Sequence, residues 1–181
     1  INPFDQPNVE AAKVQARQLT DEYRQSGKLP AGKSETINGD ALDEFLKKAS
    51  AGDYVSLQVY AAPNKELTEA LQALRANLAG KYRLATTLGY GPRFLHSTGQ
   101  LHKGDAGNGL FVQIVTQTPN EDIPIPTEPG TSASEITFGV LKRAQALGDA
   151  QALRAVGRRV RSFEADRTQL ISTINKLAAE F

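Results

Sequence analysis

Several residue types that mark common protein classes are missing from this sequence. It contains no cysteine, no methionine and no tryptophan among its 181 residues. Without cysteine, a disulfide framework, a thiolate nucleophile and a zinc-thiolate site are all excluded. The apolar runs are short and interrupted by charge, and no basic and then apolar leader opens the chain, so neither membrane insertion nor secretion is indicated. We therefore expect a cytoplasmic protein with no membrane partner.

An excess of one charge is also lacking. The chain has 21 Lys and Arg against 20 Asp and Glu, which gives a formal net charge of +1. This balance does not favour nucleic acid as a partner, because proteins that bind nucleic acids usually carry a clear excess of basic residues. The length fits a single domain, 1–181, with a core large enough to need no disulfide or metal. Because the first residue is Ile1 rather than methionine, we expect this domain to be a piece of a longer polypeptide.

Segments with helical spacing alternate with segments rich in β-branched residues. The first predicted helix begins near Pro7, which suits the first helical position, and ends at Ser26. Its apolar positions, spaced by three and four residues, are Val9, Ala12, Ala16, Leu19 and Tyr23. Further helices are predicted at 40–50, 64–78, 134–147, 149–155 and from Asp166 onward, and strands at 54–61, 81–89, 109–116 and 158–163. This order predicts a three-layer α/β/α sandwich around a mostly parallel sheet of about four to five strands.

The last predicted strand carries three basic residues. Arg158, Arg159 and Arg161 stand among apolar residues in the segment RRVRSF. Such alternation is typical of an exposed edge strand, whose charges discourage pairing with another chain. The sequence therefore predicts an edge position for this strand.

A polar stripe runs along the first helix beside the apolar one. Gln6, Glu10, Lys13 and Arg17 are separated by four, three and four residues, so they share one face of the helix. On periodicity alone, this face is a solvated surface on which Glu10 pairs with Lys13 and Arg17. The alternative interpretation, a functional surface, rests on the sequence around it.

The segment FDQPNVEAAK, from Phe4 to Lys13, resembles the carboxy-terminal signature of glucose-6-phosphate isomerases. That signature has an aromatic residue, Asp, Gln, any residue, Gly, Val, Glu, two variable residues and Lys. Every fixed position matches except the glycine, which is replaced by Asn8. The resemblance implies aldose-ketose isomerisation of a sugar phosphate without a cofactor. It assigns Lys13 as the catalytic lysine that reaches a substrate hydroxyl or ring oxygen, and Gln6 as the glutamine on the phosphate side.

A longer segment, 86–115, resembles the end of bacterial bifunctional transaldolase/phosphoglucose isomerase fusion proteins, as do the DIPIP motif and the run from Phe138 to Asp149. In this family the catalytic glutamate, the phosphate-binding loops and the ring-opening histidine precede the signature. The resemblance therefore implies that an upstream isomerase domain of the same polypeptide completes the active site. It also implies a homodimer, since these isomerases usually share sites between subunits. The alternative is a non-catalytic module with an isomerase-like fold that binds sugar phosphates or serves assembly.

Both histidines of the chain lie in one polar segment, HSTGQLHKGD. Three interpretations stay open for this segment. It binds a phosphate or sugar through hydroxyls, backbone amides and a lysine; it holds a metal through His96, His102 and Asp105, although the spacing matches no strong signature; or it is a structural loop. On the first interpretation, the substrate-binding residues are His96, Ser97, Thr98 and Lys103, and no metal is expected.

Overall fold

A computed structural model describes residues 7–96, 98–117 and 122–181, with side chains from Val9 onward in the first range. The helices are α1 (Pro7–Ser26), α2 (Gly39–Leu46), α3 (Lys65–Tyr82), α4 (Thr98–Gly104), α5 (Phe138–Ala155) and α6 (Leu170–Glu180). The strands are β1 (Ser34–Thr36), β2 (Tyr54–Tyr60), β3 (Ala85–Tyr90), β4 (Gly109–Thr116), β5 (Pro124–Pro126), β6 (Ser134–Thr137) and β7 (Arg159–Ala165). None of the helices in these ranges has the length and apolar character needed to cross a membrane.

The main sheet has five strands in the order β1-β7-β4-β2-β3, and every neighbouring pair is parallel. A separate two-stranded antiparallel sheet pairs β5 with β6. The predicted α/β/α sandwich is confirmed, because helices cover both faces of the main sheet. In parallel sheets the buried strands are expected to be apolar on both sides, and β4 is buried along its whole length.

The two faces of the main sheet differ in polarity. One face presents apolar side chains such as Val55, Leu57 and Ile114 to α2, α3 and α6, and this layer forms the larger hydrophobic core. The opposite face, covered by α4 and α5, carries Gln58 and Gln113. Because strand side chains alternate between faces, the pattern in β2 of Ser56 and Gln58 between apolar residues separates the two layers. The first helix, α1, packs against α5 and α4.

The predicted edge position of β7 is wrong. This strand lies inside the sheet, between β1 and β4. Its basic residues form ion pairs with neighbouring segments: Arg159 Nη1 lies 2.9 Å from Asp53 Oδ2, and Arg161 pairs with Glu35 of β1. Arg158 Nε lies 2.7 Å from Asp105 Oδ1. Since paired charges can lie at the end of an internal strand, charge alternation alone did not identify a sheet edge.

Other boundaries also differ from the predicted ones. Residues 81–82 end α3, so the strand predicted at 81–89 begins at Ala85 instead. Residues 134–137 form β6, and Thr137 rather than Ser134 caps α5, with its Oγ1 accepting a hydrogen bond from Val140 N at 3.2 Å. The predicted helices 134–147 and 149–155 are one helix, α5. Asp166 caps a turn by accepting from Thr168 N at 2.7 Å, and α6 begins later, at Leu170.

Helix α1 approaches α5 closely at Gly148. A Cβ atom on this residue would lie 2.9 Å from Ala16 N and 3.2 Å from Ala12 O. Because backbone atoms cannot rotate away, Gly148→Ala should push α1 off α5 and lower the free energy of unfolding by about 1–3 kcal/mol, measured by urea denaturation. The control is Gly80→Ala in α3, where a Cβ would meet nothing within 4 Å. That change should stabilise by about 0.5–1 kcal/mol, and equal effects of both changes would contradict the close packing.

Candidate functional site

A cavity of about 290 Å³ opens between α1, the residues after β3 and the first half of α5. Most of its wall is apolar, with contributions from Val9, Leu95 and Leu141. The polar side chains that line it are Lys13, Arg17, Thr20, His96 and Gln145. Two of these are basic, and none of the described lining residues is acidic, so the cavity favours an anionic or hydroxyl-rich ligand at its polar side.

The apolar stripe of α1 explains how this wall forms. Val9, Ala12, Ala16 and Leu19 are buried, as their spacing predicts. The neighbouring positions Lys13 and Arg17 are then left at the border between the packed stripe and the surface. The residue types at this border therefore determine the charge of the cavity.

The predicted ion pairs on α1 are confirmed. Lys13 Nζ lies 3.5 Å from Glu10 Oε2, and Arg17 Nη1 lies 3.2 Å from Glu10 Oε1. The Lys13 side chain is 49% exposed, so this pair is in water and contributes at most about 1 kcal/mol. Lys13 and Arg17 share the Glu10 carboxylate. The Lys13 ammonium can therefore exchange Glu10 for an oxygen of a ligand at a small cost in free energy.

His96 reaches the same cavity from the other side. It follows a short 3-10 helix, Arg93–Leu95, which is anchored by the buried ring of Phe94 against Tyr60, with ring centroids 5.6 Å apart. Before it, Gly91 N donates to Val59 O at 2.9 Å, and a Cβ on Gly91 would lie 2.5 Å from the Tyr60 ring. This packing fixes the chain beneath His96 and brings two predicted site residues, His96 and Lys13, to one cavity.

The remaining predicted residues lie elsewhere or outside the described part of the chain. Gln6 and Ser97 are not among the described residues. Thr98 begins α4 with an exposed side chain and does not line the cavity. Lys103 is in the interior: its Nζ lies 2.5 Å from Asp149 Oδ1, and both side chains are 1% exposed. The structure thus places His96 and Lys13 on the wall of one cavity, and it holds the Lys103 ammonium away from the surface.

A buried polar layer lies between the sheet and the two helices α4 and α5. Gln58 Nε2 donates to His102 Nδ1 at 3.1 Å, and the other ring nitrogen lies 3.5 Å from Ser56 Oγ. Burial, together with the nearby Lys103 charge, lowers the pKa of His102 to about 4. The imidazole is therefore neutral at neutral pH. Within the described ranges, no group of three or more His, Cys, Asp or Glu side chains is arranged to hold a metal ion.

Asp149 gives this layer its charge. Burial raises the pKa of Asp149, and the attraction of Lys103 opposes that rise. Lys103 Nζ also donates to Gly99 O at 3.4 Å, whereas Asp149 Oδ2, Tyr60 Oη and Gln58 Oε1 have no hydrogen-bond partner among the described residues. Burying an ion pair with unmade hydrogen bonds costs free energy of folding, and removing one partner alone costs more because it leaves a buried charge unpaired.

Sequence reasoning missed this polar layer, although β2 and β4 carry a signal for it. Gln58 and Gln113 interrupt two apolar strands, and they are direct partners in the sheet register. Polar side chains within otherwise buried strands indicate an internal hydrogen-bonded network, because unpaired amides are costly in a core. Asp149 could not be found in the same way, since its partner lies 46 positions away.

Comparison with known proteins shows that this chain has a fold similar to that of a solved structure. No protein-family model matches the chain, and no curated protein matches it. Among solved structures, the chain is similar to a hypothetical protein from Thermus thermophilus, with a TM-score of 0.52 and 15% sequence identity over 94% of this chain. The chain spans 43% of the length of that protein. At this identity the likeness shows the three-layer fold alone.

Proposed function

We propose that this chain is part of a sugar-phosphate isomerase that interconverts glucose 6-phosphate and fructose 6-phosphate. Lys13 and Gln6 contribute to its active site, which an upstream domain of the same polypeptide completes. One observation carries the proposal: Lys13 and His96, which belong to separate segments that resemble this family, line one cavity. Folding, rather than proximity in sequence, brings them together.

The chemistry suits a lysine in this position. Aldose-ketose isomerisation moves a proton between neighbouring carbons through an enediol, and negative charge develops on the substrate oxygen. An ammonium within hydrogen-bond reach of that oxygen stabilises the charge as it forms. The weak, exposed pairing of Lys13 with Glu10 leaves the ammonium able to do so. His96 supplies a further polar contact for a hydroxyl or phosphate oxygen from the opposite wall.

The part of the cavity wall that the structure describes has no carboxylate, which supports a contribution from elsewhere. The reaction needs a general base, usually a carboxylate, within about 3 Å of the proton that it removes. No Asp or Glu is among the described residues that line the cavity. Exposed apolar side chains lie on the helices beside it, Val14 of α1 (40% exposed) and Leu101 of α4 (66% exposed). A neighbouring domain that covers them would bring its own carboxylate to the open side.

The isolated 181-residue chain should therefore not convert fructose 6-phosphate to glucose 6-phosphate. The longer polypeptide, with the upstream domain, should do so in a coupled assay for glucose 6-phosphate. Circular dichroism and urea unfolding of the isolated chain serve as the control, since they show whether it is folded. Sustained turnover by the isolated, folded chain would refute the shared site.

The second candidate function is a non-catalytic module that binds sugar phosphates or serves assembly. The mostly apolar wall of the cavity favours it, because such walls are suited to protein contacts as well as to small ligands. The same assay distinguishes the two functions. Saturable binding of fructose 6-phosphate by the longer polypeptide without any turnover would favour the module.

A further inference from the structure

A second concave region lies at the carboxyl ends of the central strands β2 and β4. The chain leaves β2 through α3 on one face of the sheet, and it leaves β4 through α5 on the opposite face. Adjacent parallel strands whose connections diverge in this way leave a crevice between them, which is the usual ligand position in open α/β sheets. Here a cavity of about 550 Å³ opens at that place, with Ala62 after β2 and Gln117 after β4 on its wall. We call it the switch-point crevice.

Lys142 of α5 places an ammonium group at this crevice. Its Nζ donates to Thr116 O at 3.0 Å and to Thr116 Oγ1 at 2.8 Å. Thr116 Oγ1 in turn donates to Tyr60 O at 3.0 Å, so the ammonium is tied to the ends of both central strands. An ammonium has three donors, and the third has no acceptor among the described residues.

Among the described residues that line the crevice, two are basic and one is acidic, and the acidic one is already hydrogen-bonded. Arg167, just after β7, lines it with an exposed side chain that has neither a hydrogen bond nor an ion pair within the described part of the chain. Asp122 is the acidic residue on the described wall, but its Oδ2 already accepts from Gly139 N at 2.8 Å and from Thr137 Oγ1. The carboxylate is therefore bound to the first turn of α5, beside the cap Thr137, and it forms no ion pair with Lys142 or Arg167 among the described residues.

The electrostatics of Lys142 also favour an anion. Burial lowers the pKa of Lys142, and the nearby Asp122 only partly offsets this. A bound anion would stabilise the charged form of the Lys142 side chain, which burial disfavours. A phosphate group offers several acceptor oxygens, which suits one lysine donor and one forked guanidinium.

We propose that the switch-point crevice binds a small phosphorylated compound, with the phosphate between Lys142 and Arg167. The site uses no residue that lines the Lys13 cavity, so it stands independently of the proposed isomerase function.

The test is an NMR titration of the isotope-labelled chain with inorganic phosphate, followed by glucose 6-phosphate and, as a carboxylate, acetate. We expect the backbone amide signals of Ala62, Gln117 and Gly139 to shift and to saturate. At least one of the two phosphate-containing ligands should bind more tightly than acetate. Lys142→Met should weaken binding about tenfold or more, because it removes a charge-assisted hydrogen bond. Lys142→Arg, which keeps the charge, should retain most of the affinity.

Two further variants keep the test decisive. Arg167→Met changes an exposed side chain that has no hydrogen bond or ion pair within the described ranges, so this variant should fold normally and still weaken binding, even if Lys142→Met does not fold. Lys48→Met removes an exposed lysine of the α2 end and should leave binding unchanged. Shifts that do not saturate, shifts centred on Leu95 and His96 instead, or equal binding by the Arg167→Met and Lys48→Met variants would each overturn the site.

Discussion

Replacing Lys103 with methionine should lower the free energy of unfolding by about 3–5 kcal/mol, because the change strands a buried carboxylate. Asp149 would lose the ammonium 2.5 Å away and keep an Oδ2 atom that has no partner among the described residues. Its side chain is 1% exposed, so water cannot take the place of the lysine without local opening. Urea denaturation of the variant and of the unchanged chain measures this loss.

The double variant Lys103→Met with Asp149→Leu is the matched control. With both charges gone, most of the lost stability should return, since the cost lies in the unpaired charge rather than in lost packing. The single variant should also respond to pH. Burial raises the pKa of Asp149 above its unfolded value, so its protonated form favours folding and this contribution is lost as pH rises.

The deficit of the Lys103→Met variant should accordingly shrink as the pH is lowered from about 7 toward about 4. Unchanged stability of the single variant would show that the ion pair does not hold α4 to α5.

Replacing Lys13 with alanine in the longer polypeptide should lower the turnover of fructose 6-phosphate by about 10²–10³-fold, the usual effect of removing one donor to a developing oxyanion. Stability should change little, because the pair with Glu10 is exposed and contributes at most about 1 kcal/mol. A coupled assay for glucose 6-phosphate and urea denaturation measure the two quantities.

Lys48→Ala is the matched control for this change. Lys48, two residues after α2, also forms an exposed ion pair, with Nζ 3.2 Å from Glu44 Oε1, but it does not line the cavity. It should keep full turnover and a similar stability. Full turnover by the Lys13→Ala variant would remove the assigned role of this residue.

The fold was largely predictable from the sequence because its elements depend on local patterns. The apolar stripe of α1 and the β-branched run of β4 specify their own conformation and their buried side. Strand order is different, because it depends on which segments meet after long connections. Arg161 could be predicted to lie in a strand, but not to pair with Glu35 on a neighbouring strand. For that reason β7 was predicted at an edge and lies inside the sheet.

The candidate site was predictable in part for the same reason. The steps of three and four along α1 placed Lys13 beside Glu10, which needs only helix geometry. That His96 faces the same cavity depends on how the segment after β3 packs on Tyr60, which no local pattern reveals. Lys103 shows the converse case. Its polar neighbours in sequence left a substrate-binding segment, a metal site and a structural loop open, whereas its partner Asp149 lies on another helix and holds it in the core.

Chemical labelling of lysine amines in the longer polypeptide, with and without saturating fructose 6-phosphate, tests most directly whether the Lys13 ammonium meets the sugar. Mass spectrometry of each labelled peptide gives the rate at every lysine. We predict that fructose 6-phosphate slows the labelling of Lys13 severalfold and leaves that of Lys48 unchanged. Equal rates at Lys13 with and without the sugar phosphate, at a concentration that saturates turnover, would contradict the assignment of this cavity as the substrate site.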